Sequence, residues 1–292
     1  MLKRVASYFK DNNAKTLDSV DRLIAEFHKR EIKIRIHQKM ITSVTEAVWK
    51  TVDRAGKVSF SSELPDLVLS VGGDGTFLET VLNVKDMGIP IAGVNTGRMG
   101  FLANISADEI GKSVEMLCNN EYETVERCLL EISKPSNLFK ESSSLALNEI
   151  TIQKADMSMI TINVFLDETH LNTYWADGLI VSTATGSTAY NLSVGGPILS
   201  PEDESIIISP IAPHNLTIRP IILSGKGEIR MIIEGRSKEY LATCDFRSKR
   251  LPFTEEVHIK RSDVKIKTVM LSGRDFYSTL RSKLMWGADF RN

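Results

Sequence analysis

The sequence predicts a two-domain protein in which an α/β domain with a mostly parallel sheet is followed by an all-β domain. A chain of 292 residues is longer than one small domain usually needs. Up to about Glu121, short apolar runs alternate with segments of helical periodicity, a pattern typical of parallel strands covered by helices on both faces. Beyond Glu121 the chain becomes a succession of short strands separated by Gly, Pro, Asn and Ser.

The first domain, residues 1–122, is predicted to alternate strands with helices. Its first helix follows a short strand at 5–9 and carries one apolar face, formed by Leu17, Val20, Leu23, Ile24 and Phe27. The other expected elements are a strand at 32–36, a helix at 42–52, a strand at 67–71 that leads into a helix, a strand at 89–94 and a helix at 108–118.

The second domain, residues 123–263, is predicted to consist of strands. The clearest of them are expected at 145–154, 158–167, 205–209, 229–234 and 239–244. In the remaining segment, 264–292, Phe276, Leu280 and Leu284 recur at helical spacing. We interpret this segment as a tail whose helix returns to the first domain.

The composition excludes several classes of partner. The chain has 36 Lys and Arg against 37 Asp and Glu, so we expect neither nucleic-acid nor anionic-membrane binding. No apolar run reaches the length of a membrane span, and the opening residues lack the apolar core of a signal peptide, which predicts a cytoplasmic protein. The three cysteines are scattered and odd in number, which fits reduced, inert thiols.

A glycine-rich turn at 72–76, Gly-Gly-Asp-Gly-Thr, separates the buried strand at 67–71 from the following helix. Glycine allows positive φ and lets a ligand approach without a Cβ in the way. A helix N-terminus presents unpaired N–H groups and a partial positive charge, which suit phosphate. The alternative is a tight turn in which Asp74 is only the helix N-cap. The turn is neither a P-loop nor a dinucleotide fingerprint, because both spacings are missing.

Asp74 carries the chemistry that this turn predicts. A carboxylate 4 Å from a phosphate repels it by roughly 4 kcal/mol at an effective dielectric near 20. A helix N-terminus returns only about 0.3–1 kcal/mol. We therefore expect a divalent cation, Mg²⁺, wherever a phosphate binds here. A carboxylate that is retained despite this repulsion is suited to accept a proton from a hydroxyl group.

Three further groups of polar residues are candidates for ligand contacts, and each has an ordinary structural alternative. Residues 175–199 combine small hydroxyl side chains with four glycines, which suits sugar hydroxyls and phosphates but equally fits β-turn composition. Asn148 and Glu149 interrupt an apolar strand pattern, and they either hold two vicinal ribose hydroxyls or form an exposed edge pair. Asp245 is either a site acid or a turn residue.

Taken in order along the chain, these motifs resemble the NAD kinase family. The resemblance covers most of the chain from residue 65 onward. It rests on LSVGGDGTFLETV, GVNTGRMGFLANI, NEITI, DGLIVSTATGSTAYNLSVGGPI, PIAPHNLTIRPIIL and LRSKLMWG. Lipid kinases and phosphofructokinases carry close relatives of the glycine turn. The Asn-Glu pair followed by the long Thr-Gly-Ser-Thr-Ala-Tyr segment makes the resemblance specific.

The resemblance implies an NAD kinase/diacylglycerol kinase-like fold whose second domain is a β-sandwich. It also implies phosphorylation of the 2′-hydroxyl of the adenosine ribose of NAD, which gives NADP. ATP is the implied donor, with polyphosphate left open, and a dimer or tetramer built on the β domain is the implied assembly. Asp74 matches the proton acceptor. The matching binding positions are Gly72, Gly73, Gly75 and Thr76 around the phosphates, Phe77 in the dinucleotide pocket, Asn148 and Glu149 at the ribose, Asp177, Thr185, Thr188, Ala189, Tyr190 and Ser193 at the adenine and nicotinamide ends, and Asp245 near the phosphates.

Two other functions remain compatible with the motifs. A lipid kinase of the diacylglycerol or sphingoid class would share the glycine turn but would need a wide apolar acceptor groove. A non-catalytic dinucleotide sensor would keep the pocket without turnover, and the retention of Asp74 argues against it. Phe246 and Arg247 follow Asp245 where the family often has Gly-Gln, and Arg98 has no role assigned by the resemblance.

Overall fold

The computed structural model describes residues 2–10, 13–37, 57–58, 64–97, 100–139 and 144–287. The chain forms two compact units, residues 1–126 together with 266–292 and residues 127–265. Each unit has its own cluster of buried apolar side chains. The helix expected at 42–52 and Arg98 lie outside the described residues. Within the described part, no helix is both long enough and apolar enough to cross a membrane.

The described secondary structure consists mostly of strands. The strands are β1 Arg4–Phe9, β2 Lys33–His37, β3 Lys57–Val58, β4 Leu67–Gly72, β5 Ile91–Asn95, β6 Ile105–Ser106, β7 Tyr122–Lys134, β8 Leu145–Ala146, β9 Glu149–Lys154, β10 Ile160–Leu166, β11 Thr169–Ala176, β12 Gly178–Ser182, β13 Ile206–Ile211, β14 Ile221–Leu223, β15 Glu228–Gly235, β16 Glu239–Cys244, β17 Arg247–Pro252 and β18 Val257–Leu271. The helices are α1 Ala14–His28, α2 Asp74–Val84, α3 Ile110–Cys118, α4 Tyr190–Ser193 and α5 Phe276–Leu284, with 3-10 turns at Ala107–Glu109 and Thr185–Thr188.

The first unit is an α/β unit with a parallel sheet. Its strands follow the order β5-β4-β1-β2-β3, and the end of β18 pairs with β5 at Thr268 and Ile91. The paired strands of this order run parallel to one another. All six residues of β4 are buried, as expected for a central strand covered on both faces. β4 delivers the glycine turn directly to the start of α2.

The second unit is built from antiparallel strands in two layers. One layer has the order β11-β10-β15-β18, and the other has the order β14-β13-β12-β9-β16-β17. Side chains from both layers share one apolar core, which includes Ile152 of β9 and Ile162 of β10. The predicted fold class, an α/β domain followed by an all-β sandwich, is confirmed.

Several element predictions need correction. The strand predicted at 145–154 is two strands, β8 and β9, because the N–H groups of Leu147 and Asn148 donate to the Asp245 carboxylate. The stretch at 175–199, whose composition also fits β-turns, contains the end of β11 and all of β12. The helix predicted from residue 108 begins with a 3-10 turn and becomes α-helical at Ile110.

The C-terminal tail belongs to the first unit. Helix α5 begins after Asp275, whose carboxylate accepts the N–H of Ser278 at 2.8 Å and so caps the helix. The Arg274 guanidinium donates to the carbonyl of Asn104 and to Glu109, the latter at 2.5 Å. Leu280 is buried from the apolar face of the helix.

Candidate active site

Glycine is needed at different positions of the turn between β4 and α2 for different structural reasons. A Cβ on Gly72 would lie 2.4 Å from the Thr76 hydroxyl oxygen, so packing inside the turn requires this glycine. A Cβ on Gly73 or Gly75 would have no heavy atom of the described residues within 4 Å beyond its own stretch of backbone. Packing among the described residues therefore does not explain Gly73 and Gly75. Their missing Cβ atoms leave the backbone at the helix N-terminus open to a ligand.

Asp74 is not the N-cap of α2. Gly73 occupies that position without a side-chain hydrogen bond, and Asp74 is the first helical residue. The Asp74 carboxylate instead accepts three consecutive backbone N–H groups, from Phe101 at 2.8 Å, Leu102 at 3.1 Å and Ala103 at 3.2 Å. The alternative that Asp74 only caps its own helix is therefore wrong.

The residues that Asp74 contacts belong to the second glycine-containing motif of this unit. A Cβ on Gly100 would lie 2.0 Å from Asp74 Oδ1, so glycine is required for the carboxylate to reach the following amides. Oδ1 accepts from Leu102 and Ala103, whereas Oδ2 accepts from Phe101 alone among the contacts observed. Since each carboxylate oxygen offers two lone pairs, Oδ2 retains capacity for another proton donor.

Phe77 is buried in this structure. Its ring is 1% exposed and lies beside Gly93, where an added Cβ would be 3.1 Å from the ring. Thr76 is also buried, at 5% exposure. The sequence expectation that Phe77 contacts a dinucleotide stays a prediction.

In the second unit, Asn148 and Glu149 lie at the start of β9, and hydrogen bonds to Asp245 fix the backbone there. The Asp245 carboxylate accepts three consecutive N–H groups, from Leu147 and Asn148 at 2.9 Å each and from Glu149 at 3.2 Å. β9 lies between β12 and β16, and both Asn148 and Glu149 are 9% exposed. The exposed-edge alternative is therefore wrong. Asp245 has a φ of 52° in the turn between β16 and β17.

Glu149 is an unusual carboxyl group. Burial, followed by repulsion from Asp245, raises its pKa to about 8, although the backbone N–H of Tyr190 partly offsets the shift. Its Oε2 is buried without a hydrogen-bond partner in the described structure. At neutral pH the group is thus largely protonated. A neutral carboxyl group can both donate to and accept from ligand hydroxyls.

The Thr-Gly-Ser-Thr segment packs directly against the Asn-Glu pair. The Thr183 N–H donates to the Asn148 carbonyl at 2.9 Å. A Cβ on Gly186 would lie 2.1 Å from the same carbonyl oxygen. Thr185 is buried, and its hydroxyl accepts from Arg127 at 3.3 Å. The two motifs singled out in this part of the sequence are therefore neighbours within one unit.

Asp177 and Tyr190 line a cavity of about 500 Å³ in the second unit. The Asp177 carboxylate is paired with Lys154 at 2.7 Å. Tyr190 begins α4 and is 37% exposed, so part of its ring remains open to a ligand. Ala189 precedes it as the N-cap residue, and Ser193 is exposed at the end of the helix. Thr188 donates to the Thr185 carbonyl at 3.3 Å.

Sequence reasoning missed a cavity of about 460 Å³ in the first unit. It is lined by Asn95, Gly97 and Asn104 and, from the tail, by Arg274, Ser278 and Lys283. Lys283 lies in LRSKLMWG, which contributed to the family resemblance without any residue in it being assigned a role. The sequence carries no signal that separates it from Arg281 of the same helix.

A parallel α/β unit with a glycine turn at a helix N-terminus, joined to an antiparallel β-sandwich, defines an NAD kinase/diacylglycerol kinase-like phosphotransferase. Two family models match the sequence: the ATP-NAD kinase N-terminal domain over residues 3–122 and the ATP-NAD kinase C-terminal domain over residues 147–271. The chain therefore belongs to the ATP-NAD kinase family.

Curated relatives and solved structures agree with this membership. The chain is 40% identical to the NAD kinase of Cytophaga hutchinsonii over 97% of both chains. It is 46% identical to that of Bacteroides fragilis over 77% of this chain and 78% of the relative. An Archaeoglobus fulgidus NAD kinase in complex with ATP matches with a TM-score of 0.72 and 26% identity, over 97% of this chain and 98% of the other. Yeast NADH kinase complexed with NADH shares the fold, with a TM-score of 0.83, 23% identity, and coverage of 99% and 89%.

Proposed function

We propose that the chain transfers the terminal phosphoryl group of ATP to the 2′-hydroxyl of the adenosine ribose of NAD, which produces NADP. The observation that carries this proposal is the turn between β4 and α2. There, Gly73 and Gly75 leave the helix N-terminus open, and the Asp74 carboxylate is fixed beside it. Phosphoryl transfer needs mainly positioning and electrostatic stabilisation, both of which such a turn supplies.

In this proposal Asp74 accepts the proton of the attacking hydroxyl. Three backbone N–H groups hold the carboxylate in one orientation, and Oδ2 accepts only one of them. A fixed proton acceptor with a free lone pair suits general-base catalysis, which typically contributes about 10²–10⁴ in rate. Gly72, Gly73, Gly75 and Thr76 surround the phosphates, with Gly72 acting through the shape of the turn.

The second unit supplies the dinucleotide contacts. Asn148 and Glu149 bind the ribose hydroxyls, with Glu149 donating or accepting through its protonated carboxyl group. The bases are held by the segment that follows β11, in particular Asp177, Thr185, Thr188, Ala189, Tyr190 and Ser193. Asp245 acts as a positioning residue, because its carboxylate accepts the amides of the Asn-Glu pair and is buried beneath them.

We infer that Mg²⁺ accompanies ATP rather than occupying a protein cage. No group of three or more His, Cys, Asp or Glu residues arranged to hold a metal occurs among the described residues. Mg²⁺ does not need a protein cage, because it keeps several waters and is commonly bound through substrate phosphates and one or two carboxylates. The ion would neutralise charge on the phosphates.

A single assay tests the reaction and its alternatives. The protein is incubated with Mg²⁺, NAD and either ATP or polyphosphate, and the products are identified by mass. We expect NADP, and the two donors determine the donor range. Phosphorylated diacylglycerol or sphingoid base without NADP would instead identify a lipid kinase. Binding of NAD with no product from any combination would identify a sensor and contradict the proposed activity.

We also infer a homo-oligomer, a dimer or tetramer, assembled through the second unit. The supporting observation is the edge of its sheet at β14, where Ile221 and Ile222 are 37% and 47% exposed, and the nearby Leu216 is 87% exposed. Exposed apolar side chains on a sheet edge favour association. Light scattering across a concentration series tests this inference, and a monomer at all concentrations would contradict it.

A further inference from the structure

Lys283 of helix α5 has a buried ammonium group with no hydrogen-bond partner among the described residues. The Nζ atom lies 5.2 Å from the centroid of the Phe101 ring, a cation–π contact that satisfies none of its N–H groups. Burial, the largest influence, lowers the pKa of this ammonium, and the Asp74 carboxylate opposes the shift. An unpaired buried charge is costly, so its presence calls for an explanation.

The other cation of the tail differs in this respect. Arg274 is fully engaged in holding the tail, through the carbonyl of Asn104 and the carboxylate of Glu109. Anchoring of α5 therefore does not need Lys283. The two residues line the same cavity, but only Arg274 has a structural role that the contacts explain.

A second buried atom without a hydrogen-bond partner among the described residues belongs to Asn104, which lines the same cavity. The side-chain nitrogen of Asn104 donates to Val269 at 3.3 Å, but its Oδ1 is buried without a partner. Ser278, Thr279 and Ser282 line the same space, and each of their hydroxyl groups donates to a backbone carbonyl of the same segment. The cavity is about 460 Å³, which is large enough for a phosphate chain, and its lining includes Lys283 together with the ion pair between Arg274 and Glu109.

We propose that Lys283 binds the terminal phosphates of the ATP donor and offsets the repulsion between them and Asp74. This inference rests on the proposed function and adds a residue to its donor site. Asp74 connects the glycine turn with Lys283. Its carboxylate accepts the backbone N–H of Phe101, and it also attracts the Lys283 ammonium group that lies over the Phe101 ring. The Lys283 ammonium group contributes charge-assisted hydrogen bonds to phosphate oxygens.

The main test compares Lys283→Met with the parent protein. Methionine keeps the length and apolar contacts of the side chain and removes its charge. We expect the affinity for a non-hydrolysable ATP analogue with Mg²⁺, and kcat/KM for ATP, to fall by about 10- to 100-fold, as for loss of a hydrogen bond between charged groups. The affinity for NAD should not change. The melting temperature should stay equal or rise, because an unpaired buried charge has been removed.

Two further variants show whether charge is responsible. Lys283→Arg should restore most of the analogue affinity. Arg281→Met removes one charge from an exposed position of the same helix and should bind the analogue as the parent does. AMP, which has no terminal phosphates, should bind parent and Lys283→Met equally. Unchanged analogue affinity in Lys283→Met, or an equal loss of AMP or NAD affinity, would overturn the proposal.

The binding measurements also separate this inference from the proposed function. If the parent forms no NADP, the proposed reaction fails, but calorimetry with the ATP analogue still decides whether Lys283 binds its phosphates. If the parent forms NADP and Lys283→Met does so with an unchanged KM for ATP, the reaction stands and the role of Lys283 falls.

Discussion

Two partly buried aspartates of this chain make the same kind of contact. Asp74 accepts the N–H groups of residues 101–103, and Asp245 accepts those of residues 147–149. Each carboxylate thereby fixes a stretch of backbone. Asp74 fixes the residues just before Asn104, and Asp245 fixes the stretch that includes Asn148 and Glu149. An amide side chain cannot replace either one well, because its NH₂ group would face backbone donors. Function and local structure are therefore coupled at both residues.

This coupling changes what Asp74→Asn reports. We expect kcat to fall by about 10²–10⁴ through loss of the proton acceptor. We also expect the melting temperature to fall, because a buried N–H group loses its acceptor at a cost of about 1–3 kcal/mol. NAD affinity should change little, since its proposed contacts lie in the second unit. The measurements are kcat, NAD affinity and melting temperature on the same preparation.

Gly100→Ala is the matched control for that experiment. Its Cβ would fall 2.0 Å from Asp74 Oδ1, so it disturbs the contacts of the carboxylate without removing the proton acceptor. We expect a similar loss of stability and a smaller loss of kcat than in Asp74→Asn. Equal losses of kcat in the two variants would show that Asp74 acts only by shaping the backbone.

The buried carboxyl group of Glu149 predicts a pH dependence of stability. Its folded pKa is about 8, against an ordinary value of 4.5. Between these values the folded state holds a proton that the unfolded state has released, so stability falls as pH rises. The contribution is fully present below about pH 4.5 and is lost as the pH passes through about 8.

Glu149→Gln removes this titration while keeping the shape of the side chain. The difference in melting temperature, variant minus parent, should therefore increase steadily from about pH 5 to about pH 9. Thermal melts across that range measure it, and subtraction removes the titration of distant groups. A difference independent of pH would mean that Glu149 is ionised throughout.

At the scale of an element, the start of α2 separates glycines that shape the turn from glycines that leave space. Gly72→Ala should destabilise the protein, because the Cβ would meet the Thr76 hydroxyl at 2.4 Å. Gly75→Ala should be stable, and alanine even favours a helix by about 1 kcal/mol over glycine. We nevertheless expect Gly75→Ala to weaken ATP binding, because its methyl group would occupy space left open beside the helix N-terminus.

Melting temperature and the affinity for an ATP analogue, measured on both variants, check this prediction. Gly73→Ala serves as a second probe of the open side. If Gly75→Ala and Gly73→Ala bind the analogue as the parent does, the phosphates do not approach this turn.

Local patterns identified most elements, and long-range contacts account for the errors. The apolar run of β4 and the helical spacing of α1 identified them directly, because burial alone decides both. The break between β8 and β9 depends on Asp245, which lies 97 residues from Asn148 in sequence. Likewise, periodicity could not show that Asp74 accepts amides 27–29 residues away. The sequence could not identify Lys283 for the same reason, because the contact between its ammonium group and Phe101 is also long-range.

For the whole molecule, the notable feature is that the first unit is discontinuous in sequence. Its core contains Val269 and Leu271 from β18 together with Val5 and Leu67 from the beginning of the chain. The tail then adds Leu280 and the anchoring contacts of Arg274. The second unit is continuous from residue 127 to residue 265 and has its own apolar core.

This arrangement predicts different behaviour for the two units as fragments. The fragment 127–265 contains all the residues of its core, so it should unfold cooperatively on heating. The fragment 1–126 lacks the end of β18, which pairs with β5 and contributes Val269 and Leu271 to the core. We therefore expect that this fragment does not fold alone. Joining residues 266–292 to this fragment through a flexible linker should restore folding. The same fusion with Val269 and Leu271 changed to Ser should remain unfolded. Circular dichroism melts and amide dispersion in NMR spectra measure each case, and a cooperative transition in 1–126 alone would show that the returning strand is dispensable.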